Sequence, residues 1–329
     1  MKKFIFIFFL ILFSGNNNLI AQSKISDYEM FIGEYVDKVN SVNYIVLRKF
    51  KDSGGSIKFL AIDPSSLNSL VIFSQDVKRV SWEYIEKQYK QTNYIKLRNY
   101  TKTKKYDLKN SGIQNIQVDN RYIITTDLCP SPSKLDYDFY KNVYKEISTS
   151  SSISKLTSKN NIFTLPVGIA ISGIWIKYHK DDLNWLLEME KKNKLSITWI
   201  NHSYNHRYIR DADLSSNFLL IRGTDINKEI LKTEELMIEE GLNISIYFRF
   251  PGLVSDSIIF NKLLDYGLIP IGADSWIGKG KYPKDGSIVL VHTNGNDAKG
   301  LRRFQKWLKK NKEIFYIESI NNMVIRHFK

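Results

Sequence analysis

From Asn120 onward the chain alternates short apolar runs with segments of helical periodicity, and this alternation restricts the fold more than any other feature. The runs read RYIITTD, PVGIAIS, LSITWINHS, ISIYFRF, LIPIGADSW, SIVLVH and EIFYIES. Apolar strands separated by amphipathic helices predict a parallel α/β sheet or barrel, because each crossover helix returns the chain to the same edge. Seven such strands are enough to curve into an incomplete barrel. Helices are expected over residues 181–192, 224–240 and 255–266. Thr224 and Ser255 read as their N-caps, and Gly241 and Gly267 as stops. In the second helix Ile226, Ile230 and Met237 share one face, which places it on the outside of the sheet.

The preceding stretch has a different rhythm. NYIVLRKF, SIKFLAI and SLVIF are β-rich runs broken by polar turns, and VSWEYIEKQYK is helix-like. Residues 22–118 therefore read as a small β-rich α+β domain. They contain no histidine and only scattered carboxylates, so an accessory role is expected. Residues 119–329 form the α/β domain. The first 21 residues have Lys2 and Lys3, an apolar run from Phe4 to Phe13, and Leu19-Ile20-Ala21 before Gln22. This is the layout of a secretory signal peptide cleaved after Ala21. The apolar run falls short of the ~20 residues of a membrane span. The expected product is exported to the periplasm, cell surface or medium, with no stable membrane span after cleavage.

The formal charge is +14, and loss of Lys2 and Lys3 leaves +12. In an exported protein this suits anionic envelope polymers. Nucleic acid is not an expected partner, since no zinc finger, RNP pattern or basic helix is present. Cys129 is the only cysteine, so no internal disulfide supports the fold and stability rests on the core.

The stretch NHSYNHRY places His202 and His206 four residues apart in a chain with five histidines. Such a pair can converge on one metal ion, yet it is one or two ligands short of a catalytic zinc site. Other polar residues fall at strand ends: Asp127 after the first, Arg249 after the fourth, Asp274 and Trp276 after the fifth, His292 after the sixth. The carboxyl edge of an α/β barrel is its active face, so these residues are expected to converge there.

Taken in order, TTDLCP, HSYNH, RFPG, ADSW and LVH resemble the five motifs of the polysaccharide deacetylase (NodB homology) superfamily, carbohydrate esterase family 4. The resemblance spans residues 120–318, about 60% of the chain. It implies a distorted (β/α)7 barrel and hydrolysis of the acetamide of an N-acetylated glycan. It also implies a divalent metal, Zn2+ or another first-row ion, on His202 and His206, which would polarise the carbonyl and acidify a water. Asp127 would be the general base and Arg249 would hold it ionised. A backbone amide in the Arg249-Phe250-Pro251-Gly252 turn, by position that of Gly252, would face the oxyanion. His292 would protonate the leaving amine, with Asp274 sustaining its charged form, and Trp276 would wall the acetyl pocket.

The first motif departs from the family pattern. Where relatives have a second aspartate as third metal ligand, this chain has Leu128, which cannot coordinate. Asp127 then either shifts to the metal, or two histidines suffice with water and substrate, or the site has lost its metal. Cys129 is a soft donor in the adjacent position, but a turn residue's side chain is expected to face elsewhere. Two alternatives to the deacetylase accompany this departure: a glycan-binding protein on the same fold, and a hydrolase of another acylated amine or ester. His179 and His327 read as exposed, Trp175, Trp185 and Trp199 as core, and STSSSISK as a loop. Asn294, Asn296 and Asp297 in HTNGNDAKG read as turn and cap residues rather than substrate contacts. Nothing in the sequence bears on oligomeric state.

Overall fold

The computed structural model describes residues 24–104, 106–150, 163–313 and 316–329; the leader and most of the STSSSISK stretch lie outside them. Five strands come first: β1 (Ser26–Asp37), β2 (Val42–Lys51), β3 (Ile57–Ile62), β4 (Ser69–Ile72) and β5 (Lys78–Arg79). They pair antiparallel in the order β4-β3-β2-β1-β5. Helices α1 (Trp82–Gln88) and α2 (Asn93–Thr103) follow.

The second sheet is parallel and contains β6 (Arg121–Leu128), β7 (Leu165–Ile171), β8 (Leu195–Asn201), β9 (Ile244–Phe248), β10 (Ile269–Pro270), β11 (Ser275–Trp276) and β12 (Ile288–His292). Their order is β10-β9-β8-β7-β6-β12-β11, and β13 (Tyr316–Ile317) joins the start of β6. Between these strands lie α3 (Tyr137–Ser148), α4 (Gly173–Tyr178), α5 (Lys180–Lys191), α6 (Ile226–Glu239), α7 (Ser257–Asp265) and α8 (Ala298–Asn311), and α9 (Ile320–His327) follows β13. This is a distorted (β/α)7 barrel with an antiparallel sheet before it. Among the described residues no helix is long and apolar enough to cross a membrane.

The barrel does not close on its own strands, because β10 and β11 lie at opposite ends of the sheet. Residues 109–116, from the chain ahead of β6, run into the opening. Ile113 bridges Ile271, Lys109 bridges Val254, and Asn110 Nδ2 donates to Ala273 O at 2.8 Å while its Oδ1 accepts from Ala273 N–H at 2.8 Å. The single run LIPIGADSW is therefore two short strands. One pairs with β9 and the other with β12, and the chain between them crosses the gap.

The antiparallel sheet packs directly on the barrel. Ile45, Leu47 and Ile62 share a buried cluster with Ile246, Phe248, Leu263 and Ile269. Arg48 on β2 is fully buried and reaches Glu234 on α6 through Nε at 2.7 Å and Nη2 at 3.1 Å. A buried pair of this kind costs desolvation, and the Arg48 Nη1 bonds to the carbonyls of Leu47 and Tyr266 satisfy two further donors.

Two expected helix caps are corrected. Asp225, not Thr224, caps α6 by accepting from Lys228 N–H, and Thr224 Oγ1 donates back to Ile221 O. Asp256, not Ser255, caps α7 by accepting from Ile259 N–H at 2.7 Å. A carboxylate accepts an amide and also complements the positive helix N-terminus, which a hydroxyl does not. Gly241 and Gly267 do close their helices, each with φ of 76°. His179 is not exposed: it lies stacked on buried Trp175, with Nδ1 2.9 Å from Asp182 and Nε2 2.8 Å from Ser131 O. His327 is half-buried against Tyr100 and Phe328.

Candidate active site

Strand alternation places Asp127 on the inner side of β6 and Leu128 on the outer side, where Leu128 is fully buried in the core beneath the helices. β12 lies beside β6 in register, with His292 directly opposite Asp127. Arg249 follows β9 and is completely buried. Its Nη1 donates to Asp127 Oδ1 at 2.8 Å and Thr125 Oγ1 at 2.7 Å, and Nη2 donates to Gly272 O at 3.0 Å. Burial alone would raise the Asp127 pKa, but the charge of Arg249, with smaller help from the neighbouring imidazoles, outweighs it and holds the carboxyl below its usual range.

His202 and His206 do not lie on a helix. They sit on a loop after β8 in which Ser203 and His206 adopt φ of 69° and 46°. Such backbone is strained for side-chain-bearing residues and persists only where the surroundings fix it. Here Asn205 N–H and Nδ2 donate to buried Glu229 on α6, at 2.8 and 2.6 Å. Gly173 and Ile174 at the start of α4 donate to the carbonyls of Ser203 and Tyr204. The result brings the two imidazoles within 4.7 Å, centroid to centroid.

His202 Nδ1 lies 2.8 Å from Arg249 O. A carbonyl can only accept, so Nδ1 carries the proton, and the neutral ring turns the lone pair of Nε2 inward. Burial pushes the His202 pKa down, which keeps the ring neutral. Burial likewise lowers His206, to about 3, and its Nε2 is a buried atom with no hydrogen-bond partner among the described residues.

Cys129 supplies the unexpected feature. Being two residues beyond Asp127, it returns to the inner side. Its Sγ lies 3.6 Å from His202 Nε2, and one donor atom each from Cys129, His202 and His206 lie within 4.8 Å of one another. A tetrahedral zinc with Zn–S of about 2.3 Å and Zn–N of about 2.05 Å separates its S and N ligands by roughly 3.6 Å. The orphaned His206 nitrogen, the preset His202 tautomer and this spacing fit a divalent metal.

His292 has Trp276 beside it, with ring centroids 5.3 Å apart and 32° between planes. Its pKa is lowered, chiefly by burial, against the pull of Asp127 and Asp297. The role expected for Asp274 is corrected. Its amide pairs with Ile288 O, four residues before His292, which at the rise of a strand is about 13 Å down the sheet. Its carboxylate accepts from Asn115 N–H at 2.9 Å and Ile288 N–H at 2.8 Å and so fastens the seam of the barrel. Besides Asp127, the carboxylate that acts on His292 is Asp297, which caps α8 through Gly300 N–H and accepts from Trp276 Nε1 at 3.2 Å.

Pro251 and Gly252 open a short 3-10 turn after Arg249, with Gly252 at φ 62°. A Cβ at Gly252 would strike the ring of Phe218, which also packs edge-on against His206 at 5.9 Å. Phe218 has no signature in the sequence, since it opens a short 3-10 turn, Phe218–Leu220, between His206 and α6. Asn294, read as a turn residue, is fully buried and donates from Nδ2 to Cys129 O at 2.7 Å.

No family model matches the chain. Solved structures similar to it include a family 4 carbohydrate esterase from Bacillus anthracis, at 17% identity, covering 65% of this chain and 86% of that one, with a TM-score of 0.41. A CE4 family pseudoenzyme from Bacillus anthracis aligns at 13% identity over 88% of each chain, with a TM-score of 0.42. Peptidoglycan deacetylase PdaC from Bacillus subtilis aligns at 13% identity over 64% of this chain and 91% of its own, with a TM-score of 0.39. Carbohydrate esterases of family 4 are among the solved structures the chain is similar to.

Proposed function

We propose that this protein is an exported, metal-dependent deacetylase that hydrolyses the acetamide of an N-acetylated glycan. The observation that carries the reading is the convergence of a buried, Arg249-held carboxylate with three imidazoles at one edge of the barrel. His202 and His206 would hold the metal. Once bound, the ion supplies Lewis-acid polarisation of the carbonyl and acidification of the attacking water.

The protein groups divide the proton transfers. Asp127 has one oxygen fixed by Arg249, and its Oδ2 faces the site, 3.8 Å from His202 Nε2. That oxygen takes the proton of the attacking water. His292, across the strand pair, gives a proton to the departing nitrogen, so acetate and a free amine leave together. Trp276 walls the site beside His292, and the Gly252 amide is the donor for the developing oxyanion. The leader-like first 21 residues and the basic charge support an anionic polymer of the cell envelope as the setting.

The test is acetate release from peptidoglycan and chitooligosaccharides by mature protein loaded with Zn2+ or other first-row ions. Release that disappears in Asp127→Asn and His292→Ala, with folding intact, supports the reading. Saturable glycan binding without acetate under any ion replaces it with a glycan-binding role on the same fold.

A further inference from the structure

We propose that Cys129 is the third protein ligand of the metal, so that the site is a Cys-His-His centre in which a thiolate stands where a carboxylate ligand is missing. The inference rests on the metal site of the reading above and does not depend on its substrate.

Three observations carry it. The first is placement: Sγ is 3.6 Å from the unprotonated Nε2 of His202, and a ring nitrogen of His206 completes the same cluster. His206 Nε2 is buried without a hydrogen-bond partner among the described residues. The second is that the turn holding the thiol is built. Ser172 Oγ donates to Leu128 O at 3.0 Å, and Asn294 Nδ2 donates to Cys129 O at 2.7 Å, so the peptides on both sides of the Cys129 Cα are pinned. Both pinning residues are fully buried. The third is that, among the described residues, Cys129 and not Asp127 completes a three-donor group with the two histidines. Leu128 faces the core, and Asp127 has one oxygen engaged by Arg249.

The ligand change leaves the charge of the donor set unaltered, because thiolate replaces carboxylate. The thiol gives up its proton to solvent as the ion binds, and one metal–sulfur bond forms. Two consequences follow. Asp127 is relieved of ligation and remains free as base. A thiolate among the donors also favours thiophilic ions such as Zn2+, Co2+ and Cd2+ over Mg2+ and Mn2+.

Co2+-loaded mature protein provides a readout that is independent of activity. Wild type is expected to show a near-ultraviolet sulfur-to-cobalt charge-transfer band at one ion per chain. Cys129→Ser is expected to lose that band and to bind Zn2+ more weakly, by more than the roughly 100-fold that loss of an outer partner costs. Cys129→Asp, which restores an anionic donor, is expected to recover Zn2+ binding without the band, showing that the turn still folds. A wild-type cobalt spectrum without the sulfur band, or unchanged Zn2+ affinity in Cys129→Ser, overturns the inference. A protein that shows the band yet releases no acetate upholds it and removes the deacetylase reading instead.

Discussion

Asp127 and His292 stand directly opposite each other on neighbouring parallel strands, one on β6 and the other on β12. Parallel register fixes this pairing through the backbone, so the proposed base and acid are set at one height. Replacing His292 with alanine should therefore lower kcat by about 10²- to 10⁴-fold, the usual worth of a positioned proton donor, and leave KM within a few-fold. Steady-state acetate release measures both. A large KM change with kcat intact would mean that His292 binds substrate rather than delivering a proton.

Asp274 and Asp297 should separate stability from activity. Asp274→Asn keeps one acceptor but presents an amide N–H2 to one of two backbone donors, a mismatch costing about 1–2 kcal/mol. The melting temperature is expected to fall while kcat/KM stays within about twofold of wild type. Asp297→Ala removes both the α8 cap and the acceptor for Trp276, so kcat/KM should fall as the ring beside His292 loosens.

Gly252 is held at φ 62° beneath the Phe218 ring. Gly252→Ala combines left-handed backbone strain with a collision and should destabilise the fold by about 1–3 kcal/mol. In the double variant with Phe218→Ala the collision disappears and only the backbone part of the loss should persist. Denaturant titration of the cycle shows whether the two effects are coupled.

Glu190 offers a pH test away from the site. Burial pushes its carboxyl up to about 7, against the bonds it accepts from Trp199 Nε1 and Ile197 N–H. Between the unfolded value near 4.5 and about 7, the folded chain retains a proton that the unfolded chain has lost. Stability from this group is thus full below about 4.5, declines as pH rises, and is gone above about 7, with an upper bound on the order of 3 kcal/mol. Chemical denaturation from pH 4.5 to 8 should show that decline in wild type and not in Glu190→Gln.

The sequence discloses the parallel strands because apolar runs of strand length are bracketed by amphipathic helices, and it discloses the site because polar residues end those runs. It misleads where a run is not one strand. LIPIGADSW crosses the barrel opening, so Asp274 lies just before β11 instead of ending a strand. Cys129 was visible in principle, since alternation returns residue 129 to the side of Asp127. The motif, which puts its ligand at 128, argued the other way. Phe218 and the tautomer of His202 are set by contacts between remote segments, and no local pattern encodes them.

The barrel's last stave is not its own. Residues 109–116, which wedge between β10 and β11, lie ahead of the first barrel strand. An excised fragment starting at residue 119 would expose Ile271 and free the Asp274 carboxylate from Asn115. The leading segment thus acts as a hoop for the barrel, and shortening the chain from its front would spring the vessel open before reaching Asp127, His202, His206 or His292.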